Sequence, residues 1–154
     1  PEKPPPLSVS VGGGSMSHDA RELEHIMGVL HAPHHGKEKK PHTYRRRVRK
    51  DYLSIAKQRK PRAKKIRKAV RKQLGYVARN LKTIARLKEQ SSLSLLTRQE
   101  YKQLLVISEL YRQQHEMHHK RARRIDDRIV SISQPHVRPI VRGKASSGTE
   151  FGAK

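Results

Sequence analysis

The stretch PRAKKIRKAVRKQLGYVARNLKTIARLKEQ (residues 61–90) decides the fold. Ile66, Val70, Leu74, Val77, Leu81 and Ile84 recur at spacings of four, four, three, four and three residues. That period lays them in one narrow apolar stripe along a long helix, a seam made to pack against another helix. Lys and Arg occupy the faces the seam leaves free. Gly75 weakens the helix by about 1 kcal/mol. Pro61 suits the first helical turn, where its missing N–H costs nothing.

Toward the C-terminus, SSLSLL (residues 91–96) reads as a turn. Thr97-Arg-Gln-Glu100 is a capping box: the Thr97 hydroxyl accepts from the amide three residues on, and Glu100 reaches back. Leu104, Ile107, Tyr111, Met117 and Ile125 carry a second stripe to about residue 128. Two long helices joined by a short turn make an antiparallel hairpin. After Asp126-Asp127 the pattern becomes β-like, with Ile129-Val130-Ser131-Ile132 and Ile140-Val141 separated by Pro135 and Pro139. Arg142-Gly-Lys144 and Ser146-Ser-Gly148 read as turns before Glu150-Phe151.

Toward the N-terminus, residues 44–60 are basic and helical, with a thin stripe of Tyr44, Val48, Tyr52 and Ile55. Pro33, Gly36 and Pro41 make residues 32–43 a loop. Residues 17–31 form a short helix carrying Leu23, Ile26, Met27 and Leu30, with Asp19 and Glu22 in a capping-box relation. Residues 1–16, Pro-rich then Gly-rich, read as a linker or a strand remnant with Leu7, Val9 and Val11 alternating. The predicted organisation is therefore mainly α: a basic helical region over residues 17–128 built on a long hairpin, then short β segments over residues 129–154.

Composition limits the function. The 154 residues carry 36 Lys and Arg against 13 Asp and Glu, a formal charge of +23, with 33% hydrophobic residues, one Phe and no Trp. So little apolar material beside so much charge argues against an ordinary enzyme with a full core and points to a polyanionic partner. No run approaches the about 18 apolar residues of a membrane span. A membrane-surface helix would favour Trp or Phe anchors, which are scarce here. With no Cys, disulfides, thiolate metal sites and Cys nucleophiles are excluded.

The charge is concentrated. From Lys39 to Lys88 stand 21 of the 36 cations and one carboxylate, Asp51. The candidate phosphate contacts are Arg45, Arg46, Arg47, Arg49 and Lys50, followed by Arg62, Lys64, Lys65, Arg67, Lys68, Arg71 and Lys72. Neutralising about eight phosphates gives a slope of roughly −7 in log affinity against log salt. A solvated charged face without a partner is the plain alternative. Little aromatic interleaving argues against base stacking, and Tyr44, Tyr52 and Tyr76 serve as core or rim as readily as stacking platforms.

Two other patterns carry less. His115-Glu116-Met117-His118-His119 has the H-e-x-x-H spacing of a zinc helix. Its flanks are polar and basic, no third ligand follows, and nothing in the sequence brings His34 or His35 near it; solvent-facing histidines on a basic helix account for it. Asp126 and Asp127 are adjacent and face apart on a helix, a poor metal pair beside Arg123, Arg124 and Arg128. No metal ligand and no catalytic residue is assigned.

Two segments support a family resemblance. TYRRRVRKDYLSIAKQRKPRAKKIRKAVRKQLGYVARNL (residues 43–81) resembles the basic helical segment of bacterial insertion-sequence transposases of the DDE, family-five type. RIVSISQPHVRPIVRGKASSGTEFGAK (residues 128–154) is similar to the segment of that family that leads into the second strand of an RNase H-like core. Together, in matching order, they cover roughly residues 17–154. The resemblance implies a partial RNase H-like domain and a DNA partner, the duplex ends of a transposon. It also implies strand cleavage and transfer by three carboxylates and two Mg2+ ions in the intact enzyme. The family's first Asp is expected before this segment, yet residues 1–18 hold only Glu2; the second Asp and the Glu are expected beyond Lys154. The expectation is thus a middle fragment, inactive alone, needing no cofactor itself, cytoplasmic and nucleoid-associated in a bacterium. The alternative is a small non-catalytic basic helical protein that binds RNA or nucleoid DNA.

Overall fold

A computed structural model of the chain describes residues 9–122, 124–129, 132, 134–140 and 150–153. Four helices dominate it: α1 (Val9–His31), α2 (Arg45–Ala56), α3 (Ala63–Gln90) and α4 (Arg98–Lys120). The fold is mainly helical.

α3 forms where its stripe predicts. Ile66, Leu74, Val77 and Ile84 are buried, with Val70 and Leu81 partly so. Its start differs by two residues: Arg62 is the cap, with an extended backbone (ψ 143°), so Pro61 precedes the helix and lies outside its first turn. α4 opens on the capping box as written. Thr97 Oγ1 accepts from the Glu100 amide at 3.2 Å, and Glu100 Oε2 accepts from the Thr97 amide at 2.7 Å. A 3-10 turn, Leu93–Leu95, links the two helices. His118 near the end of α4 meets the Arg67 carbonyl near the start of α3, so the pair is antiparallel.

The hairpin does not close the core by itself. Leu23, Ile26, Met27 and Leu30 of α1 share one cluster with Val77, Ile84 and Leu87 of α3 and Leu104, Ile107 and Leu110 of α4. The core is therefore a three-helix one, and Leu23, Ile26 and Leu30 are at its most enclosed positions. α1 is also longer than the predicted 17–31. Its backbone is helical from Val9, through Gly12, Gly13 and Gly14, in a stretch read as linker or strand. Glycine costs a helix about 1 kcal/mol per residue without forbidding it, and no proline lies between Val9 and His31 to stop it. Asp19 consequently sits in the helix interior, buried, and does not cap it. Residues 1–8 of that linker, with Leu7, lie outside the described residues.

α4 ends at Lys120, short of the predicted residue 128. Arg121 turns left-handed (φ 53°), and the chain folds back. The buried Gln113 side chain fixes the return: its Nε2 donates to the Asp127 carbonyl at 3.2 Å, and its Oε1 accepts from the Ile129 amide at 2.8 Å. Ile129 and Ile132 thereby enter the three-helix core, which a continued helix would carry them away from. Ile125, Asp126 and Asp127 are in this return, not on α4. Neither Ile129 nor Ile132 is in a strand, while Val130 and Ser131 lie outside the described residues, as do the turns at Arg142-Gly-Lys144 and Ser146-Ser-Gly148. Farther on, β1 (Val137–Ile140) pairs antiparallel with β2 (Glu150–Ala153), Val137 opposite Ala153. One pair of strands is not the multistranded sheet of an RNase H-like core. No helix among the described residues is long and apolar enough to cross a membrane.

Candidate nucleic-acid interface

α2 lies across α1 and α3 and brings the basic block together. A small second cluster seats it: Val48 against Ala20 of α1 and Tyr76 of α3, with Tyr44 at the rim. Polar contacts fix the seat. Gln73, buried, donates to the Val48 carbonyl at 3.3 Å, and Thr43 donates to Glu24 at 3.2 Å. The Tyr76 hydroxyl donates to Asp51 at 2.8 Å, and Lys72 stands 3.5 Å from the other Asp51 oxygen. The one carboxylate of the basic block is thus occupied in docking α2 onto α3. Burial, and then the bond to Asp51, push the Tyr76 hydroxyl above its ordinary value, while nearby Arg47 and Arg79 pull the other way.

With the core faces of α2 and α3 so committed, their cations face water. Arg45, Arg46, Arg47, Arg49, Lys50, Arg62, Lys64, Lys65, Lys68, Arg71 and Lys72 are all exposed. Arg67 is half-buried, and its carbonyl takes the His118 contact. Among the described residues, the cations of α2 and α3 that form ion pairs are Lys72, with Asp51, and Arg86, with Glu38. Neither helix has an acid in its first turn, and neither has a side-chain cap. Both therefore present a positive dipole end beside their own cations, which disfavours the free state and favours an anion.

α4 is built the opposite way. Arg112 bonds Glu109 at 2.6 Å and Glu116 at 3.1 Å, and Lys120 bonds Glu116 at 2.8 Å. Arg112 holds the Glu109 carboxyl below its usual range, and Lys120 does the same for Glu116. Two of the four Lys and Arg on α4, Arg112 and Lys120, are locally neutralised, whereas most of those on α2 and α3 are not. The charge asymmetry is a property of the folded surface, not only of the sequence.

The arrangement also has a feature that charge counting misses. Lys72, Gly75, Tyr76 and Arg79 fall on one face of α3, at i, i+3, i+4 and i+7, opposite Tyr44 and Arg47 at the start of α2. These six line an open cleft of about 330 Å3. The Arg79 guanidinium lies over both tyrosine rings, 4.7 Å from the Tyr44 centroid and 4.9 Å from that of Tyr76. His42 packs against Tyr44 at 4.8 Å between centroids. Read as a helical face, the K-x-x-G-Y-x-x-R spacing was the available signal.

The histidine pattern gathers no metal site. His115 and His119 stack along α4 with centroids 6.4 Å apart, and Glu116 is engaged by Arg112 and Lys120. His34 bonds Ser91, at the far end of α3 from the Arg67 that His118 meets, about 35 Å away at 1.5 Å per residue. Nor is His34–Ser91 a nucleophile and base: Ser91 donates its proton to the Leu30 carbonyl at 2.8 Å, so His34 is the donor to Ser91. No group of three or more His, Asp or Glu is placed to hold a metal among the described residues.

No protein-family description, no curated protein and no solved structure matches this chain.

Proposed function

We propose that the chain binds nucleic acid through the cations of α2 and α3, as the DNA-contacting helical segment of a DDE-type transposase. The observation that carries the binding is the exposed, largely uncompensated cation surface of α2 and α3, set beside an α4 in which Arg112 and Lys120 are paired with Glu109 and Glu116. Such a surface contacts phosphates and positions the duplex; it does not specify bases. The transposase assignment rests on the resemblance of residues 43–81 and 128–154. In that reading, no residue of this chain is assigned to cleavage or strand transfer, and β1 and β2 contribute to an RNase H-like sheet.

The experiment is duplex binding by the wild type and by a variant with Arg45, Arg46, Arg47, Arg49 and Lys50 all changed to Glu. Loss of affinity for every duplex sequence alike is expected, with a shallower salt slope. Unchanged affinity overturns the electrostatic assignment.

A second reading is favoured by the closure of the helical core. α1, α3 and α4 bury one another's stripes, and among the described residues no strand is packed into the cluster. A stand-alone basic helical protein on structured RNA or nucleoid DNA needs no more. Tighter binding to duplex RNA than to duplex DNA selects this reading; Mg2+-dependent nicking by a longer frame selects the first.

A further inference from the structure

The α2–α3 cleft is more than another piece of basic surface. Arg47, Lys72 and Arg79 put three cations on it, and Asp51, paired with Lys72, removes one charge, leaving a surplus of two. The Arg79 guanidinium carbon lies over both tyrosine rings, 4.7 Å and 4.9 Å from their centroids, and these contacts restrict the guanidinium at the wall of the cleft. A guanidinium fixed this way makes a bidentate contact with phosphate at little entropic cost. The rings themselves are engaged: Tyr44 packs against His42 and Arg79, and Tyr76 is buried with its hydroxyl on Asp51. The cleft thus favours an anion over a stacked base. Gly75 lines it, and a Cβ there would meet nothing within 4 Å, so no close packing requires the glycine and a larger side chain has room to enter the cleft.

A backbone phosphodiester carries one charge, whereas a phosphomonoester carries about two near neutral pH. We infer that the Arg47–Lys72–Arg79 cleft seats the terminal phosphomonoester of a nucleic-acid strand, so that this chain distinguishes a phosphorylated end from the interior of a duplex. This rests on the nucleic-acid reading above and adds an end to it.

The test compares 5′-phosphorylated and 5′-hydroxyl forms of a duplex one helical turn long, about 10 base pairs, by fluorescence anisotropy. A salt near 0.15 M screens the distant cations. The phosphorylated duplex is expected to bind about tenfold tighter, the scale of one bidentate charge-assisted contact. Gly75→Leu fills the cleft, and Leu is a better helix former than Gly, so this variant folds. Arg79→Gln removes the fork. Both are expected to abolish the discrimination, read as the ratio of the two affinities within each variant, because Arg79→Gln also removes one cation of the α3 surface; thermal unfolding checks the fold. Equal binding of the two duplexes by the wild type overturns the cleft assignment and leaves the nucleic-acid reading standing. Discrimination that survives in both variants also overturns it. Binding to neither duplex overturns both readings. Capture of phosphatidic-acid vesicles, with neither duplex bound, moves the phosphomonoester to a lipid and overturns the assignment as well.

Discussion

Gly75 sits in the middle of a 28-residue helix, where glycine is about 1 kcal/mol worse than alanine. Space around it is open, so Gly75→Ala meets no neighbour and is expected to stabilise the fold by about that amount. A rise in midpoint of about 3 °C by calorimetry checks it; a fall means that the helix backbone there is held by something a methyl disturbs. Thr97 is the converse case. Its hydroxyl satisfies one of the orphan amides of α4, and Thr97→Ala is expected to cost about 1 kcal/mol, read as a lower midpoint. Acid acts through other side chains, in two separate windows. Burial first of all holds His118 below its ordinary 6.5, against a smaller opposite effect of its bond to the Arg67 carbonyl. Its folded value is below its unfolded one, so its contribution is intact above 6.5 and is lost as pH falls through the lower folded value. Glu100 is lowered by the Thr97 amide and then by His25, so its contribution is intact above 4.5 and disappears only in stronger acid. A thermal midpoint that falls in two stages is expected, and His118→Gln should remove the upper stage alone. If the upper stage persists in that variant, another histidine carries it.

At the scale of elements, α1 makes the sharpest prediction because the hairpin seen in the sequence does not need it. Leu23 is fully enclosed among α1, α3 and α4, so Leu23→Ala is expected to cost about 2–5 kcal/mol in denaturant unfolding. Leu105, on the outer face of α4 and 54% exposed, should change stability by less than about 0.5 kcal/mol on the same truncation. Comparable small effects at both sites would mean that α3 and α4 alone hold the core. These elements also show how far the sequence could be read. The α3 seam and the Thr97–Glu100 box were legible because each is a local pattern whose partners lie within one helix. The length of α1 was not, because three glycines look like a linker unless the helix they extend is known to be packed. The break after Lys120 was not legible either. It depends on Gln113 capturing the Asp127 and Ile129 backbone, a contact between segments that a periodicity cannot register. Of the interface, all twelve cations were legible as charge. The cleft was not, because it needs Tyr44, just before α2, and Arg47 of α2 laid across Gly75 and Arg79 of α3.

For the whole molecule, the charge of +23 works against the same fold that displays it. Apolar burial holds three helices together, while exposed cations on α2 and α3, short of acids, repel one another. Salt should therefore act in opposite directions on folding and on binding. Raising it from about 0.1 M to about 1 M shortens the screening length from about 10 Å to about 3 Å, which relaxes the repulsion among the cations. The thermal midpoint of the free chain is expected to rise. Over the same titration, affinity for a long duplex should fall with a slope of roughly −7, because about eight condensed counterions return to the DNA. Duplex at 100 times its dissociation constant should in turn stabilise the chain by about 2.7 kcal/mol at low salt, and by progressively less as salt is added. Calorimetry with and without duplex, at both salts, measures the two trends on one sample. A free-chain midpoint that falls with salt would mean that local pairs such as Arg112 with Glu109 and Glu116 outweigh the repulsion across α2 and α3. In that case the exposed cations are carried at no cost to the fold, and an anion is not needed to relieve them.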